Sequence, residues 1–337
     1  MPEWSLITGQ VREVPYATLQ IEADSGHIGY GFVSAMQPFD APLTAIVQCV
    51  EYLGALVVGE KLEINPIMHR LERALFAYNE IKAGFETALY DLCSQCHTTG
   101  LAEWLGGALH PALPVSRLIP LSTPDKMAAL AKQYVSEGHR VLKVKLNGNI
   151  DMDVERIKAV RLAVGPAIRL TADANGSYQA KAAIRAIARM DDFDITLFEQ
   201  PVGRHYLEGL KLVTQSTNIM IEADESAGDF REILELVRTR SVDSVCLRIP
   251  KLGGVAATVA AANLCHAFDI QFRLGVCFLP SHFQAMCAHV ASTLPSVPLA
   301  HEIAEHQLFT NDPFEQFPVR RGFVTVPTGV GVGLGLS

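Results

Sequence analysis

Short apolar runs alternate with amphipathic stretches along the chain from about residue 113. The runs are rich in β-branched residues, as strands are, and the stretches between them carry apolar residues at helical spacing. This alternation is typical of repeated β–α units, in which each helix connects two parallel strands. The candidate strands are VSRLIP, RVLKVKL, IRLTAD, ITLFEQ, IMIEAD, SVCLRI, IQFRLG and a weak one near VPLAHE. The candidate helices lie near residues 125–138, 152–164, 179–190, 204–216, 229–239, 254–268 and 281–294. Eight strands predict a barrel.

The front of the chain has a different pattern. The segment ATLQIEADSGHIGYGFVS alternates polar and apolar residues on both sides of Asp24, Ser25 and Gly26, as an antiparallel hairpin does. Helical patterns then run from about Ala41 to Gly107. We therefore predict a separate α+β domain before the barrel. The tail from about residue 311 is glycine-rich and strand-like, and it could fold back onto either domain.

Composition and charge narrow the class of protein. The 337 residues are 49% hydrophobic and 19% charged, which suits a compact protein of about two domains. The net charge of −8 disfavours nucleic acid as a partner, because phosphate binding needs clustered Lys and Arg. The first ten residues carry Glu3 where a signal peptide would be basic, and no apolar run is long enough to span a membrane. Seven cysteines, an odd number, suit reduced thiols. We expect a cytoplasmic protein with a small-molecule partner.

Charged residues fall at the ends of five consecutive predicted strands. Lys145 ends the second strand, Asp173 the third, Glu199 the fourth, Asp224 the fifth and Arg248 the sixth. In a β–α barrel the active site is built at the C-terminal ends of the strands. The sequence therefore predicts that these five side chains meet at one mouth of the barrel.

Three of these strand ends are carboxylates. Asp173, Glu199 and Asp224 would repel one another at one point unless a cation neutralised them, and carboxylate oxygens are the ligands that Mg²⁺ or Mn²⁺ prefers. The alternative is that each is a helix N-cap, since strand-to-helix loops favour Asp there. Their regular spacing of about 25 residues matches the β–α period and favours the metal site.

Two lysines lie two residues apart in the second strand. Lys143 and Lys145 should both point into the barrel while Val144 faces the helices. Their mutual repulsion, and any nearby metal, would depress their pKa values and leave one able to act as a base near neutral pH. The alternative is an exposed strand end with solvated lysines, against which the apolar neighbours Leu142 and Leu146 argue.

An ordered set of motifs resembles the enolase superfamily, and within it the muconate lactonizing and mandelate racemase branches. The motifs are KVK, DANGSY from Asp173, EQP from Glu199, ADES from Ala223 and KLGG from Lys251, and the similarity extends over nearly the whole chain. The resemblance implies a (β/α)₇β barrel of the TIM-like class at residues 111–305. It also implies an α+β capping domain that is formed by residues 1–110 and completed by residues 306–337.

The same resemblance implies roles for individual residues. Asp173, Glu199 and Asp224 match the ligands of a Mg²⁺ ion that binds the substrate carboxylate. Lys145 matches the acid/base that takes the adjacent proton, and Lys143 matches its support. The residues predicted to contact the substrate are Asn175, Lys251 and Glu302, with Lys251 pointing in a different direction from Arg248.

Two positions depart from the family pattern. Where the lactonizing branch has a lysine and the racemase branch an aspartate, this chain has Arg248, a poor base and a good anion clamp or charge stabiliser. After the seventh strand, FLPSHFQAMCAHVAST resembles the racemase segment that carries a second acid/base, which nominates His282. A gap-free match to the lactonizing branch instead aligns Gly275 and His289, and it leaves His282 without a role.

The function implied is Mg²⁺-dependent removal of the α-proton of a carboxylate substrate through an enolate. An isomerase is favoured, whether racemase, epimerase or cycloisomerase. A dehydratase of hydroxy acids or acid sugars, which is a lyase, is the alternative reaction, and a barrel that binds metal and anion without turnover is the alternative class. We expect no nucleic-acid or membrane partner, and a homo-oligomer as is common in the family.

Overall fold

The computed structural model describes residues 4–6, 9–11, 13–36, 41–275, 278–295 and 299–337. The chain begins with two antiparallel hairpins, and the second one turns at Asp24 to Gly26 as predicted. Four helices follow the hairpins. The strands are β1 (Trp4–Leu6), β2 (Gly9–Val11), β3 (Tyr16–Glu22) and β4 (Ile28–Ser34), and the helices are α1 (Leu43–Gly54), α2 (Ile64–Ala74), α3 (Asn79–Cys96) and α4 (Leu101–Trp104).

Helix α3 lies directly against β4. A Cβ atom at Gly29 would come within 2.1 Å of the Ala88 carbonyl oxygen, and one at Gly31 within 1.9 Å of the Gly84 carbonyl oxygen. Alternate residues of a strand share one face, so the two glycines together form the surface on which the helix rests. Gly29 and Gly31 are therefore required by this close approach.

Seven parallel strands form one curled sheet, in sequence order from β6 to β12. A short strand, β5 (Ala112–Pro114), precedes them. The seven strands are β6 (Ser116–Ile119), β7 (Val141–Lys145), β8 (Arg169–Asp173), β9 (Ile195–Glu199), β10 (Met220–Ala223), β11 (Ser244–Leu247) and β12 (Gln271–Leu274). Their bounds agree with the first seven predicted strands, which confirms the barrel architecture.

Helices connect the strands and cover the outside of the sheet. The helices are α5 (Pro124–Ser136), α6 (Ile150–Val164), α7 (Ala180–Met190), α8 (Leu207–Ser216), α9 (Phe230–Thr239), the short α10 (Ile249–Leu252), α11 (Val255–Ala267) and α12 (Ser281–Ser292). Short 3₁₀ helices lie at Asp191–Phe193 and Glu305–Leu308. On β7, Leu142 and Val144 pack into the core between sheet and helices, and the alternating residues Lys143 and Lys145 point inward. All seven predicted helices are confirmed.

The eighth strand is shorter than predicted. In the described part of the segment near VPLAHE, His301 forms a single bridge to Val115 and Glu302 a single bridge to Gly275. These bridges join the two edges of the sheet, but they are not a continuous strand. Residues 296–298 lie outside the described residues.

The C-terminal tail contacts both parts of the molecule. Its strands β13 (Val319–Arg320) and β14 (Phe323–Thr325) form a three-stranded antiparallel sheet with β5. Further on, the Val332 amide donates to Asp91 on α3, at 3.2 Å. The tail is thus held against the first helices as well as the strand that precedes the barrel. The boundaries at residues 110 and 305 stay predictions.

Helix α3 also holds the loop that follows β11. The side-chain amide of Asn79 donates to the carbonyl oxygen of Lys251, at 3.0 Å. A Glu86 oxygen accepts from the Ala256 amide at the start of α11, and burial raises the pKa of Glu86 to about 7. A Cβ atom at Gly254 would lie 1.9 Å from that carboxylate, so this glycine of the KLGG motif makes the contact possible.

In the part of the chain that the structure describes, no helix combines the length and the apolar character that crossing a membrane requires.

The first prediction concerns His139, whose ring is buried beside Tyr134. Burial, with a smaller effect of Arg117, lowers the pKa of His139 to about 4. Below pH 6.5 the unfolded chain therefore binds a proton that the folded chain excludes, and stability falls as the pH falls towards 4. We expect His139→Phe to reduce the pH dependence of the unfolding free energy between about pH 6 and 4.5 by up to about 1.4 kcal/mol per pH unit.

The measurement is urea unfolding across this pH range, with the exposed His205→Gln as the matched control. Other buried histidines contribute equally to the wild type and the variant, so the difference reports on His139. An unchanged slope in His139→Phe would contradict the assignment.

Candidate active site

The C-terminal ends of five adjacent strands bring charged side chains to one mouth of the barrel. Lys145, Asp173 and Glu199 are the last residues of β7, β8 and β9. Asp224 and Arg248 directly follow β10 and β11. The strand register places Lys145 beside Asp173 and Asp173 beside Glu199. The predicted convergence is therefore what the parallel sheet produces.

Lys143 lies one layer below this mouth, surrounded by carboxylates. Its Nζ is 3.0 Å from Asp173 Oδ2, 2.9 Å from Glu199 Oε2 and 2.5 Å from Glu302 Oε1. Burial favours the neutral amine, but the three carboxylates outweigh it and raise the pKa of Lys143 well above its usual range. The prediction of a depressed pKa is thus wrong for Lys143. Its partners come from three other parts of the barrel, which the spacing of two lysines could not reveal.

Lys145 lies at the mouth itself. Its Nζ donates to Asp173 Oδ2 at 2.5 Å and to Asn175 Oδ1 at 2.8 Å. The other end of the Asn175 amide donates to Glu225 Oε1 at 3.0 Å. Because Glu225 can only accept when ionised, it fixes the amide with its oxygen towards Lys145. Glu225 is a site residue that the sequence reasoning missed, although it follows Asp224 directly.

Asp224 is contacted by two cations from the loop after β11. Arg248 donates from Nε to Oδ1 at 2.9 Å and pairs through its second nitrogen with Oδ2. Lys251 Nζ lies 2.6 Å from Oδ1 and 2.5 Å from the Asp224 carbonyl oxygen. Burial opposes ionisation, but the two cations hold the pKa of Asp224 below its usual range. Arg248 and Lys251 therefore converge on the same carboxylate, and the expected divergence of Lys251 is wrong.

A second buried cation, Arg273 on β12, lies beneath the mouth. It is 2.5 Å from Glu199 Oε2, 2.6 Å from Glu222 Oε2 and 2.7 Å from Glu302 Oε1. Glu302 is thus held from below by Arg273 and Lys143, and little of it is exposed for the predicted substrate contact. The sequence reasoning missed Arg273 and Glu222. Glu222 lies two positions before Asp224 and Arg273 two positions before Gly275, so the alternation of side chains along a strand places each on the inward face.

Asp173, Glu199 and Asp224 have the donor chemistry of a Mg²⁺ site. Lys143 Nζ contacts both Asp173 and Glu199, so these two carboxylates share one space. Oxygens of Glu199 and Asp224 and the sulfur of Cys246 all lie within 4.8 Å of one another. Burial and the nearby Asp173 raise the pKa of Glu199 well above its usual range, although Lys143 and Arg273 both contact it. The lysines and arginines of the site thus leave part of the negative charge of these carboxylates uncompensated. A divalent ion would neutralise this charge, and the carboxylate oxygens fit such an ion as ligands.

His282 lies in a different environment. Its Nε2 is 3.2 Å from Asp91 Oδ2 on α3. The ring packs against Tyr30, Phe32 and Phe314, with centroids 4.8 to 5.6 Å away. These contacts join α12 to the hairpin, to α3 and to the tail. They are the contacts of a structural residue and do not support the predicted proton transfer by His282.

His289, two turns further along α12, is also engaged in structure. Its Nδ1 accepts from the Ala102 amide at 3.1 Å, and its Nε2 lies 3.0 Å from the Val332 carbonyl oxygen. Neither histidine of α12 contacts Lys145 or the three carboxylates in the described part of the chain.

Two family models cover most of the chain. Residues 3–106 match the mandelate racemase / muconate lactonizing enzyme, N-terminal domain, and residues 126–337 match the enolase C-terminal domain-like model. The chain therefore belongs to the mandelate racemase / muconate lactonizing branch of the enolase superfamily.

Curated relatives extend over almost the full length of the chain. The hydrophobic dipeptide epimerase of Enterococcus faecalis is 29% identical over 338 residues, which is 98% of this chain and 90% of the relative. The D-Ala-D/L-Ala epimerase of Cytophaga hutchinsonii is 30% identical over 327 residues, 94% and 87% of the two chains. A chloromuconate cycloisomerase of Pseudomonas putida is 26% identical over 335 residues, 97% and 90%.

Solved structures show the same fold. The substrate-liganded L-Ala-D/L-Glu epimerase from Bacillus subtilis aligns with a TM-score of 0.94 at 27% identity, covering 99% of this chain and 95% of that one. The Cytophaga hutchinsonii dipeptide epimerase, complexed with Mg and the dipeptide D-Ala-L-Val, aligns with a TM-score of 0.95 at 26% identity, covering 99% and 92%.

The second prediction concerns the three carboxylates. We expect Asp173→Asn or Glu199→Gln to weaken Mg²⁺ binding by at least about tenfold, because each removes one anionic oxygen ligand of a hard cation. Isothermal calorimetry of Mg²⁺ binding is the measurement. Glu225→Gln, which keeps an oxygen for Asn175, is the matched control at a neighbouring carboxylate. Unchanged Mg²⁺ affinity in both ligand variants would show that the ion binds elsewhere.

Proposed function

We propose that this chain is a Mg²⁺-dependent isomerase that moves the proton α to the carboxylate of a small substrate. The observation that carries the proposal is the arrangement of two amines around a row of carboxylates at the mouth. Lys145 contacts Asp173 at one end of the row, and Lys251 contacts Asp224 at the other end. Proton transfer in both directions needs such groups on two sides of the reacting carbon.

The carboxylates between the amines supply the metal site. Asp173, Glu199 and Asp224 would hold Mg²⁺, which when bound acts as a Lewis acid that stabilises negative charge on the substrate. Lys145 is the acid/base on one side, and Asn175 orients its amine. Lys143 and Arg273 neutralise the carboxylates from below. The contacts described support each of these roles, and each is open to direct test.

Arg248 is suited to electrostatic work and not to proton transfer. Its guanidinium stays protonated in proteins, and it pairs with Asp224 beside Lys251. We assign to Arg248 the stabilisation of negative charge that develops on the substrate, with Lys251 as the amine whose proton can move. With this assignment, one acid/base lies on each side of the substrate, although residue 248 is an arginine where the lactonizing branch has a lysine.

Dipeptides are the substrate class that the relatives favour. Four relatives are dipeptide epimerases by name, and two solved dipeptide epimerases are complexed with Mg and a dipeptide. A cycloisomerase reaction is the second isomerase type, since chloromuconate cycloisomerases also match over most of their length. A dipeptide carries the carboxylate and the acidic α-proton that the site requires.

β-Elimination, a lyase reaction, is the alternative. It needs one base and a departing group, so Lys145 would suffice and Arg248 would stabilise the anionic intermediate. The permanently charged Arg248 at the end of the row is the observation that favours it. A cytoplasmic location, a homo-oligomeric assembly and the use of Mn²⁺ in place of Mg²⁺ stay predictions of the sequence.

The third prediction separates these reactions. In deuterated solvent with Mg²⁺, we expect the wild type to exchange the α-proton of both L-Ala-L-Glu and L-Ala-D-Glu. Lys145→Ala should lose exchange of one epimer and Lys251→Ala that of the other, each by at least about 10²-fold, since each removes one acid/base. Proton magnetic resonance of the dipeptides gives both rates.

The two-base reaction and the single-base reaction predict different outcomes of this experiment. If Lys145→Ala exchanges both epimers at the wild-type rate, the base must be another residue. If Lys251→Ala leaves all exchange intact, the two-amine proposal fails and a single-base reaction remains. Mg²⁺ calorimetry on both variants verifies that the metal centre is preserved.

The fourth prediction concerns Arg248. Arg248→Met should lower the exchange rate of both epimers by about 10²-fold, the usual loss when one group that stabilises developing charge is removed. Arg248→Lys, which keeps the charge, should retain more activity than Arg248→Met. A fully active Arg248→Met would show that the guanidinium takes no part in the reaction.

A further inference from the structure

Cys246 lies inside the barrel, next to the three carboxylates. It is the third residue of β11, between Ser244 and Arg248 on the inward face of that strand. The inward direction is shown by Ser244, whose hydroxyl donates to Glu222, and by Arg248, which reaches Asp224. The strand register, Ala223 beside Val245, puts Cys246 directly across from Asp224.

No step of the proposed reaction uses the thiol of Cys246. Cys246 is fully buried, and its sulfur makes no hydrogen bond to any residue in the described part of the chain. The sulfur and one oxygen each from Glu199 and Asp224 all lie within 4.8 Å of one another. A buried thiol is thus aimed at two of the carboxylates that would hold Mg²⁺.

A glycine keeps the space beside the sulfur open. A Cβ atom at Gly275 on the neighbouring strand would lie 2.4 Å from Cys246 Sγ and 3.4 Å from Arg248 Nε. Atoms that are not bonded to each other do not come as close as 2.4 Å, so a side chain at residue 275 would displace the thiol or be displaced by it. The position of Cys246 therefore depends on this glycine, which leaves room for the thiol beside the carboxylates.

We propose that this centre also binds a thiophilic divalent cation, of the Zn²⁺ and Cd²⁺ class, through Glu199, Asp224 and the sulfur of Cys246. The inference rests on the metal centre of the proposed function, because it shares two of its ligands. Thiolates are soft ligands that Zn²⁺ and similar ions prefer, whereas Mg²⁺ takes oxygen ligands. Cys246 therefore takes no part in the Mg²⁺ form and discriminates between the two classes of ion.

The binding step is a simple exchange. The S–H bond of Cys246 breaks, a sulfur–metal bond forms, and the proton passes to buffer. Ligand atoms around one tetrahedral ion lie roughly 3.5 Å apart, so side-chain movements of about 1 Å complete the site. Since both ions would occupy the same space between Glu199 and Asp224, a thiophilic ion competes with Mg²⁺ and should inhibit the enzyme.

The test is a Cd²⁺ titration of the full-length chain, followed by the ultraviolet absorption of sulfur-to-cadmium charge transfer. We expect one equivalent of absorption in the wild type, which excess Mg²⁺ suppresses. Cys246→Ala should lose this absorption and bind Cd²⁺ at least about tenfold more weakly, because the soft ligand is gone. Cys265→Ala, which removes a buried thiol from α11, is the matched control and should retain it.

Calorimetry gives an independent readout. Cd²⁺ binding to the wild type, measured in two buffers of different ionisation enthalpy, should release about one proton per ion from the thiol, in addition to any proton that Glu199 releases. This measurement needs no variant, so a Cys246→Ala chain that failed to fold would not leave the inference open. Zero proton release would overturn the inference, and so would a sulfur band that excess Mg²⁺ fails to suppress in a wild type that binds Mg²⁺ by calorimetry.

Full absorption in Cys246→Ala would assign the signal to another cysteine and would also overturn the inference. Failure of the proposed function gives a different result. A wild type that bound no Mg²⁺ by calorimetry but showed one Cys246-dependent sulfur band would contradict the Mg²⁺ centre and leave the thiol site standing.

Discussion

Two cations, Lys143 and Arg273, are buried in the barrel interior with four carboxylates at ion-pair distance. Asp173, Glu199 and Glu302 surround Lys143, while Glu199, Glu222 and Glu302 surround Arg273. Charges of either sign are costly to bury alone, and removing one member of such a pair costs about 3–5 kcal/mol because its partner is left uncompensated. The two cations and the carboxylates can therefore exist in the core only as a set. The mouth of the barrel, with its metal ligands, rests on this set, because Asp173 and Glu199 belong to both.

The N-terminal part of the chain reaches the same site from outside. Helix α3 contacts the loop after β11 through Asn79 and Glu86, and this loop carries Lys251. The helix is in turn fixed to β4 by the close approach at Gly29 and Gly31. A path of direct contacts thus leads from the hairpin to one end of the row of carboxylates. Helix α3 accordingly helps to place an amine of the site.

The sequence predicted the parts of this architecture that depend on local period and order. Strands and helices alternate with a clear period, so their positions, and the charges at the strand ends, could be predicted without structure. The interior pairs could not, because Arg273 and Glu222 lie on different strands, and their contact depends on how the sheet curls. His282 was assigned to the active site for a related reason. The match to the racemase segment covered residues along α12, but it did not show which part of the fold the side of α12 that carries His282 would contact. The raised pKa of Lys143 likewise depends on three carboxylates from separate elements.

Three residues that surround Asp224 are concentrated on one strand and its loop. On β11 and just after it stand Cys246, Arg248 and Lys251, which all face Asp224 or lie beside it. Arg248 keeps a positive charge at every physiological pH, so Asp224 always has one permanent counter-charge beside it. In the proposed function, Lys251 is the amine that gains and loses a proton, and Arg248 supplies the charge that stays. One arginine and one lysine on the same carboxylate would then separate two tasks, fixed electrostatic support and proton transfer, that a lone lysine at residue 248 would have to combine.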